Sequence, residues 1–179
     1  ILNCGKNIDA LSWHLYPTGD TKTPTAAIMA RTNQMAASSR LVYKMLRQHF
    51  PEREIPQLIT EHNINYAAWL NGGETRQKNG VGAVWLLSVM RHLLYDGEAE
   101  VANYWHYAFD SCYSLGSTPG HRPSPAGTVF WLLNNYFRGE LCQAACRDQA
   151  VECIAVDNGE DYLVTVINVS EQERPVSVR

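Results

Sequence analysis

Residues 55–63 read Ile-Pro-Gln-Leu-Ile-Thr-Glu-His-Asn, a short apolar run (55–60) closed by the polar group Glu61-His62-Asn63. Pro56 falls near the start of the run, where a missing N–H is tolerated, so the stretch predicts a β-strand with a chemically loaded carboxyl end. Its flanks decide what kind of sheet it joins. Upstream, Ile28, Thr32, Met35, Val42 and Leu46 recur at helical spacing through residues 25–50, and Pro51 stops the pattern. Downstream, past a loop carrying Asn71-Gly72-Gly73, residues 81–95 (VGAVWLLSVMRHLLY) are apolar on most faces and end at Asp96-Gly97, as a helix lying on a sheet would.

The same unit extends in both directions. Residues 10–16 (ALSWHLY) form an apolar, aromatic run closed by Pro17 and Thr18-Gly19-Asp20, which predicts a first strand. Residues 100–109 (EVANYWHYAF) predict a third, followed by a Ser/Gly/Pro-rich loop over 114–127 and a third helix over 128–138 that Gly139 ends. Strand and helix alternating three times is the pattern of a parallel α/β sheet. From residue 140 the texture changes. The β-branched runs 151–156, 162–169 and 175–178, separated by Asp157-Asn158-Gly159 and by the charged 170–174, predict a small antiparallel all-β tail. Three βα units cannot close a (β/α)8 barrel, which takes about 250 residues. The chain is expected to be a small open α/β domain or a fragment of something larger.

Its 179 residues, net charge of −3, 45% hydrophobic and 18% charged content suit one folded domain and exclude a disordered chain. With no cluster of Lys and Arg, no nucleic-acid partner is expected. No stretch approaches the roughly 18 consecutive apolar residues of a membrane span, so no membrane partner is expected either. The chain opens on Ile1, with neither a charged n-region nor an apolar h-region, which reads as a chain whose true N-terminus and any export signal lie upstream. Cys4, Cys112, Cys142, Cys146 and Cys153 form no CxxC and have no nearby histidines that would complete a zinc site; they read as small buried hydrophobes or free thiols.

In a parallel α/β sheet, functional groups collect at the carboxyl ends of the strands. All three ends are polar and aromatic: Trp13-His14-Leu15-Tyr16, Thr60-Glu61-His62-Asn63 and Tyr104-Trp105-His106-Tyr107. An ionised Glu61 after a buried strand needs hydrogen-bond donors or a wet cavity. His14 and Tyr16, two apart, point the same way from the neighbouring strand, so one of them should reach Glu61. A carboxylate held ionised in this way is a usable nucleophile. Trp105, beyond Glu61, offers a flat apolar wall suited to the C–H face of a sugar. Glu74, in the glycine loop, has no apolar pocket in view to raise its pKa and make it an acid. Asp110, after the third strand, is a candidate contact to a substrate hydroxyl. Taken singly, each of these residues also fits a core, capping or turn role.

Ser12-Trp13-His14-Leu15-Tyr16-Pro17, Ile59-Thr60-Glu61-His62-Asn63, the tryptophan strand and the tail Leu163-Val164-Thr165-Val166-Ile167-Asn168, in that order, resemble the C-terminal half of clan A glycoside hydrolases. The likeness is greatest to the β-xylosidase-like family 39 and the arabinofuranosidase-like family 51. In that clan a His-x-Tyr pair closes barrel strand six, a Glu in a Thr/Ser-Glu-x-Asn motif closes strand seven, an aromatic lies on strand eight, and a β-sandwich packs against the barrel.

The resemblance implies barrel strands six to eight in residues 1–139 and part of a C-terminal β-sandwich in 140–179. It casts Glu61 as the nucleophile, Tyr16 and His14 as the residues that orient it, and Asn63 and Trp105 as lining of the sugar subsite. The implied activity is retaining hydrolysis of a xyloside- or arabinoside-like oligosaccharide or polysaccharide, with a carbohydrate substrate and no metal or organic cofactor. The alternative is a non-catalytic carbohydrate-binding relative of the barrel. Retaining enzymes need a second carboxylate about 5 to 5.5 Å from the first. In this clan that acid/base follows an Asn-Glu pair on strand four, and no Asn-Glu occurs in this chain. The chain alone is therefore expected to be inactive.

Overall fold

The computed structural model describes residues 7–70, 74–107, 111–117 and 122–178. Three parallel strands, β1 (Leu11–Leu15), β2 (Gln57–His62) and β3 (Val101–Tyr104), lie side by side in that order. Between them run α1 (Thr25–Met29), α2 (Gln34–His49) and α3 (Gly80–Asp96), and after β3 comes α4 (Pro125–Tyr136). Helix α4 starts where its chemistry requires: the Ser124 side chain accepts from the Gly127 N–H, and Pro125 fills the first turn, which needs no N–H of its own. Helix α3 is capped by Asn79 accepting from the Val81 N–H. It ends at Gly97, where a Cβ would press on the Leu93 carbonyl, so a close approach rather than a left-handed turn demands the glycine there.

The helices cover one face of the sheet. Ile59 on β2 is fully buried against Ile28, Met35, Trp85, Leu86 and Val89, with Trp13 and Leu15 of β1 packed at the margin. Fully burying a side chain of this size stabilises the fold by about 1.5–3 kcal/mol, which makes this cluster the main anchor of the sheet. The opposite face carries Ser12 and His14, both exposed, and the half-exposed Leu58 and Thr60. Parallel sheets are ordinarily covered on both faces, whereas among the described residues this face is partly exposed and β1 and β3 have no outer neighbouring strand.

Several expectations are corrected. The helix predicted over 25–50 breaks at residues 30–33. There the Thr32 hydroxyl donates to the Met29 carbonyl and accepts from Ser88 on α3, and Arg31 turns back to the Pro17 carbonyl, so packing overrides the helical period. The third strand stops at Tyr104, five residues short of the predicted 109, as the chain turns with the Trp105 N–H still bonded to the His62 carbonyl. The loop over 114–127 contains a two-residue hairpin, β4 (Gly116–Ser117) with β5 (Arg122–Pro123). In the tail, β7 (Val151–Asp157) and β8 (Tyr162–Asn168) pair antiparallel as predicted, but residues 175–178 form no strand. The third strand is instead β6 (Glu140–Cys142), brought against β7 by Gly139, whose φ is 144° and whose missing Cβ would collide with the Asp157 carbonyl. This small sheet sits on α3: the Tyr95 hydroxyl donates to the Cys142 carbonyl at 2.7 Å and accepts from the Ala155 N–H at 3.1 Å.

Candidate functional site

The pairing of β1 with β2 places His14 opposite Glu61, after an irregularity between Trp13 and His14. The expected contact exists. The Tyr16 hydroxyl donates to Glu61 Oε2 at 3.0 Å. His14 Nδ1 lies 3.4 Å from the same oxygen, an ion pair whenever the imidazole is doubly protonated, and its Nε2 shares a 3.0 Å hydrogen bond with the Thr60 hydroxyl. Burial first, then the hydrogen bond to Glu61 and the charge of that carboxylate, hold the Tyr16 phenol well above its ordinary pKa, so it stays a donor. The Glu61 side chain is 28% exposed. Among the described residues no hydrogen bond reaches its Oε1. One oxygen is held by two neighbours and the other is left unbonded among the described residues.

Asn63, expected to line a sugar subsite, has no exposed surface. Its amide donates to the Trp105 carbonyl at 2.5 Å and its Oδ1 accepts from the Ile64 N–H at 2.7 Å, so it braces the end of β2 against the end of β3. Trp105 is 41% exposed, with its ring edge-on to His106. Asp110 lies outside the described residues, as do Asn71, Gly72 and Gly73.

Glu74, placed by sequence in a polar glycine loop, is enclosed. It is 4% exposed and gripped by Arg76, with Nε to Oε1 at 2.7 Å and Nη2 to Oε2 at 2.5 Å. Burial pushes the Glu74 pKa up, but the bonds and charge of Arg76 outweigh it, and the net shift is downward. A carboxylate held so firmly ionised is a poor proton donor. Arg76 also donates to the Thr23 and Thr21 carbonyls, tying the loop after β1 to the loop after β2. Asp20 completes that loop. It accepts from the Thr23 and Lys22 N–H groups, which hold its pKa below the usual carboxylate range.

The buried polar groups behind the site were not singled out from sequence. Asn65 takes the Ala67 N–H, gives its own N–H to Gln77 Oε1, and extends its amide toward Glu74. Tyr113 donates to the Tyr66 carbonyl and accepts from the Ala68 N–H. These bonds present Tyr66 and Trp69, 62% and 68% exposed, at the same end of the sheet. Sequence offers no signal for such pairings, because partners such as Tyr66 and Tyr113 are 47 positions apart. A cavity of about 1060 Å³ lies elsewhere, between α1, α3 and residues 168–174, and none of the strand-end residues lines it. No group of residues able to hold a metal ion occurs among the described residues, and no described helix is long and apolar enough to cross a membrane.

The chain overlays 96% of its length on 37% of a 4-O-α-L-rhamnosyl-β-D-glucuronidase from Fusarium oxysporum 12S, with a TM-score of 0.67 and 13% identity. The fold is similar to part of this glucuronidase and of further glycoside hydrolase structures. A GH51 arabinofuranosidase from Xanthomonas axonopodis pv. citri gives a TM-score of 0.67 at 18% identity, covering 94% of this chain and 40% of that one. A monomeric β-xylosidase from Caulobacter crescentus CB15 gives 0.59 at 17% identity, covering 90% and 34%. The xylosidase and arabinofuranosidase likeness read from the strand-end motifs thus reappears in the fold, and the chain spans two-fifths or less of the length of these three structures. No family model matches the sequence, and no curated protein does.

Proposed function

We propose that this chain is the C-terminal part of a retaining glycoside hydrolase, with Glu61 as the nucleophile. In this reading residues 1–139 supply barrel strands six to eight and residues 140–179 part of a β-sandwich. The observation that carries it is the Glu61 carboxylate: Oε2 held by Tyr16 and His14, Oε1 without a hydrogen bond among the described residues, and the side chain 28% exposed. Oε1 attacks the anomeric carbon, the glycosidic bond breaks, and the leaving oxygen takes a proton from an acid on another part of the protein. Water, deprotonated by that same group, then releases the sugar and restores the carboxylate. Tyr16 and His14 hold the carboxylate's rotamer, Asn63 sets the end of β3, and Trp105 and Asp110 contact the sugar.

The partly exposed face and the outer strands without neighbours among the described residues support the larger barrel, since parallel sheets are stable when covered on both sides. The substrate is a xyloside- or arabinoside-like oligosaccharide or polysaccharide. In the full-length protein, Glu61→Gln keeps the side chain's shape but removes the nucleophile. Hydrolysis of an aryl glycoside is expected to fall by several orders of magnitude. Wild-type rates in that variant would overturn the assignment, and sugar binding without hydrolysis in the unaltered protein would mark a carbohydrate-binding relative instead.

A further inference from the structure

Two cysteines of the tail lie apart from the strand-end site. Cys153 sits on β7 and is 9% exposed, while Cys146 lies exposed in the loop that leads into that strand. The chain reverses between them. The Asp148 carboxylate accepts the Ala150 N–H at 2.9 Å, the Asp148 carbonyl accepts the Val151 N–H at 3.0 Å, and Arg174 meets the carboxylate at 3.5 Å. This turn brings the Cys146 thiol within hydrogen-bond reach of Cys153. Both are free thiols, and both line one hollow of about 270 Å³ that Arg91 of α3 also borders. The neighbouring Cys142 is engaged elsewhere, its Sγ donating to the Glu140 carbonyl at 3.7 Å. Among the described residues the pair belongs to no group of three side chains able to hold a metal ion.

Two thiols brought together by a fixed turn, one exposed and one buried, suit thiol–disulfide exchange: the first can meet an oxidant in solution and the second needs to reach only the first. We infer that Cys146 and Cys153 form a disulfide on meeting a small-molecule disulfide oxidant such as oxidised glutathione. The Cys146 thiolate attacks one sulfur of the oxidant, the oxidant's S–S bond breaks, and the departing thiolate takes up a proton. Cys153 then gives up its own proton, its sulfur attacks Cys146 Sγ, and the second small thiol leaves. Two protein thiols are thereby oxidised and one small disulfide is reduced to two thiols. Burial, then the contact with Cys146, push the Cys153 thiol up to about 11, which keeps it protonated until that second step, and the charge of Arg91 favours the anion as it forms. The bridge closes a ring over residues 146–153, across the turn beside α3. Nothing in this inference depends on the glycosidase reading.

The test equilibrates the full-length protein with equal concentrations of reduced and oxidised glutathione, alkylates the remaining thiols and maps the peptides without reduction. Trypsin cuts after Arg147, between the two cysteines, so the bridge appears as peptide 139–147 joined to the peptide that starts at Asp148, and it disappears on reduction. Because the second exchange step is intramolecular, the joined form should exceed glutathione-capped Cys146 by about tenfold or more. Fragmentation should place the link at Cys146 and find Cys142 alkylated. Cys142→Ser should leave the link intact, and Cys146→Ser or Cys153→Ser should each remove it. Capped Cys146 persisting beside an alkylated Cys153, a link through Cys142, or alkylation of both thiols in the oxidant-treated folded protein would overturn the pair. The map of the unaltered protein decides the matter even where a serine variant does not fold.

Discussion

Replacing Glu74 by Gln tests the structural clamp behind the site. In the native protein the Glu74 and Arg76 side chains are 3% and 13% exposed, and two guanidinium nitrogens meet the two carboxylate oxygens at 2.5 and 2.7 Å. Glutamine fits the space and its amide oxygen can still accept one bond, but the partner charge is lost and an NH2 group now faces the guanidinium, leaving Arg76 as a largely buried cation held by the Thr21 and Thr23 carbonyls and the charge of Asp20. Breaking one side of a buried ion pair costs about 3–5 kcal/mol. Because Arg76 retains some contact with solvent, the lower end, about 3 kcal/mol, is expected from urea unfolding at neutral pH. The folded-state pKa of Glu74 is depressed, so its contribution is complete above the unfolded value and disappears as pH falls through the folded one. The cost of Glu74→Gln should accordingly shrink as pH falls below about 4.3, the unfolded value for Glu. A double-mutant cycle with Arg76→Met should show coupling of at least about 1 kcal/mol. Additive effects, or a Glu74→Gln protein as stable as the parent at pH 7, would refute the clamp.

Other residues give further expectations. Tyr16→Phe removes a charge-assisted hydrogen bond worth about 1.5–3 kcal/mol, so kcat/KM for an aryl glycoside should fall by about tenfold or more, measured beside a fold check by circular dichroism. His62, buried between Trp85 and Tyr104, has its pKa pushed down to about 4 by burial. The folded state therefore favours the neutral ring, and stability should drop by about 3 kcal/mol as pH falls from about 6.5 toward 4, a slope that His62→Leu should flatten in urea titrations. Gly139→Ala should cost more in unfolding free energy than Gly159→Ala: both have positive φ, but only at Gly139 does a Cβ meet a carbonyl, while at Gly159 the space is open and the cost is about 1 kcal/mol.

The parts of this fold that sequence makes legible are those governed by local period. The runs around Trp13, Ile59 and Val101 alternate with helical patterns, and the parallel sheet follows from that alternation. The strand-end rule then leads to Glu61 and, through the two-residue spacing of His14 and Tyr16, to its donor. What local pattern does not carry is set by distant partners. The break at Thr32 depends on Ser88, and the third tail strand depends on how closely Gly139 approaches Asp157. Burial reassigns two polar residues in the same way. Sequence casts Asn63 as lining of a sugar subsite and Glu74 as a residue of a polar glycine loop, yet each is enclosed because a partner, the Trp105 carbonyl or Arg76, satisfies it.

The account stands most directly on which side chain carries the sugar during turnover. When the full-length protein is treated with a fluorinated, activated glycoside that forms its ester quickly and hydrolyses it slowly, peptide mass mapping should find the sugar on Glu61 alone, with no label in Glu61→Gln. A label on any other carboxylate, or hydrolysis with inversion at the anomeric carbon, would contradict the account.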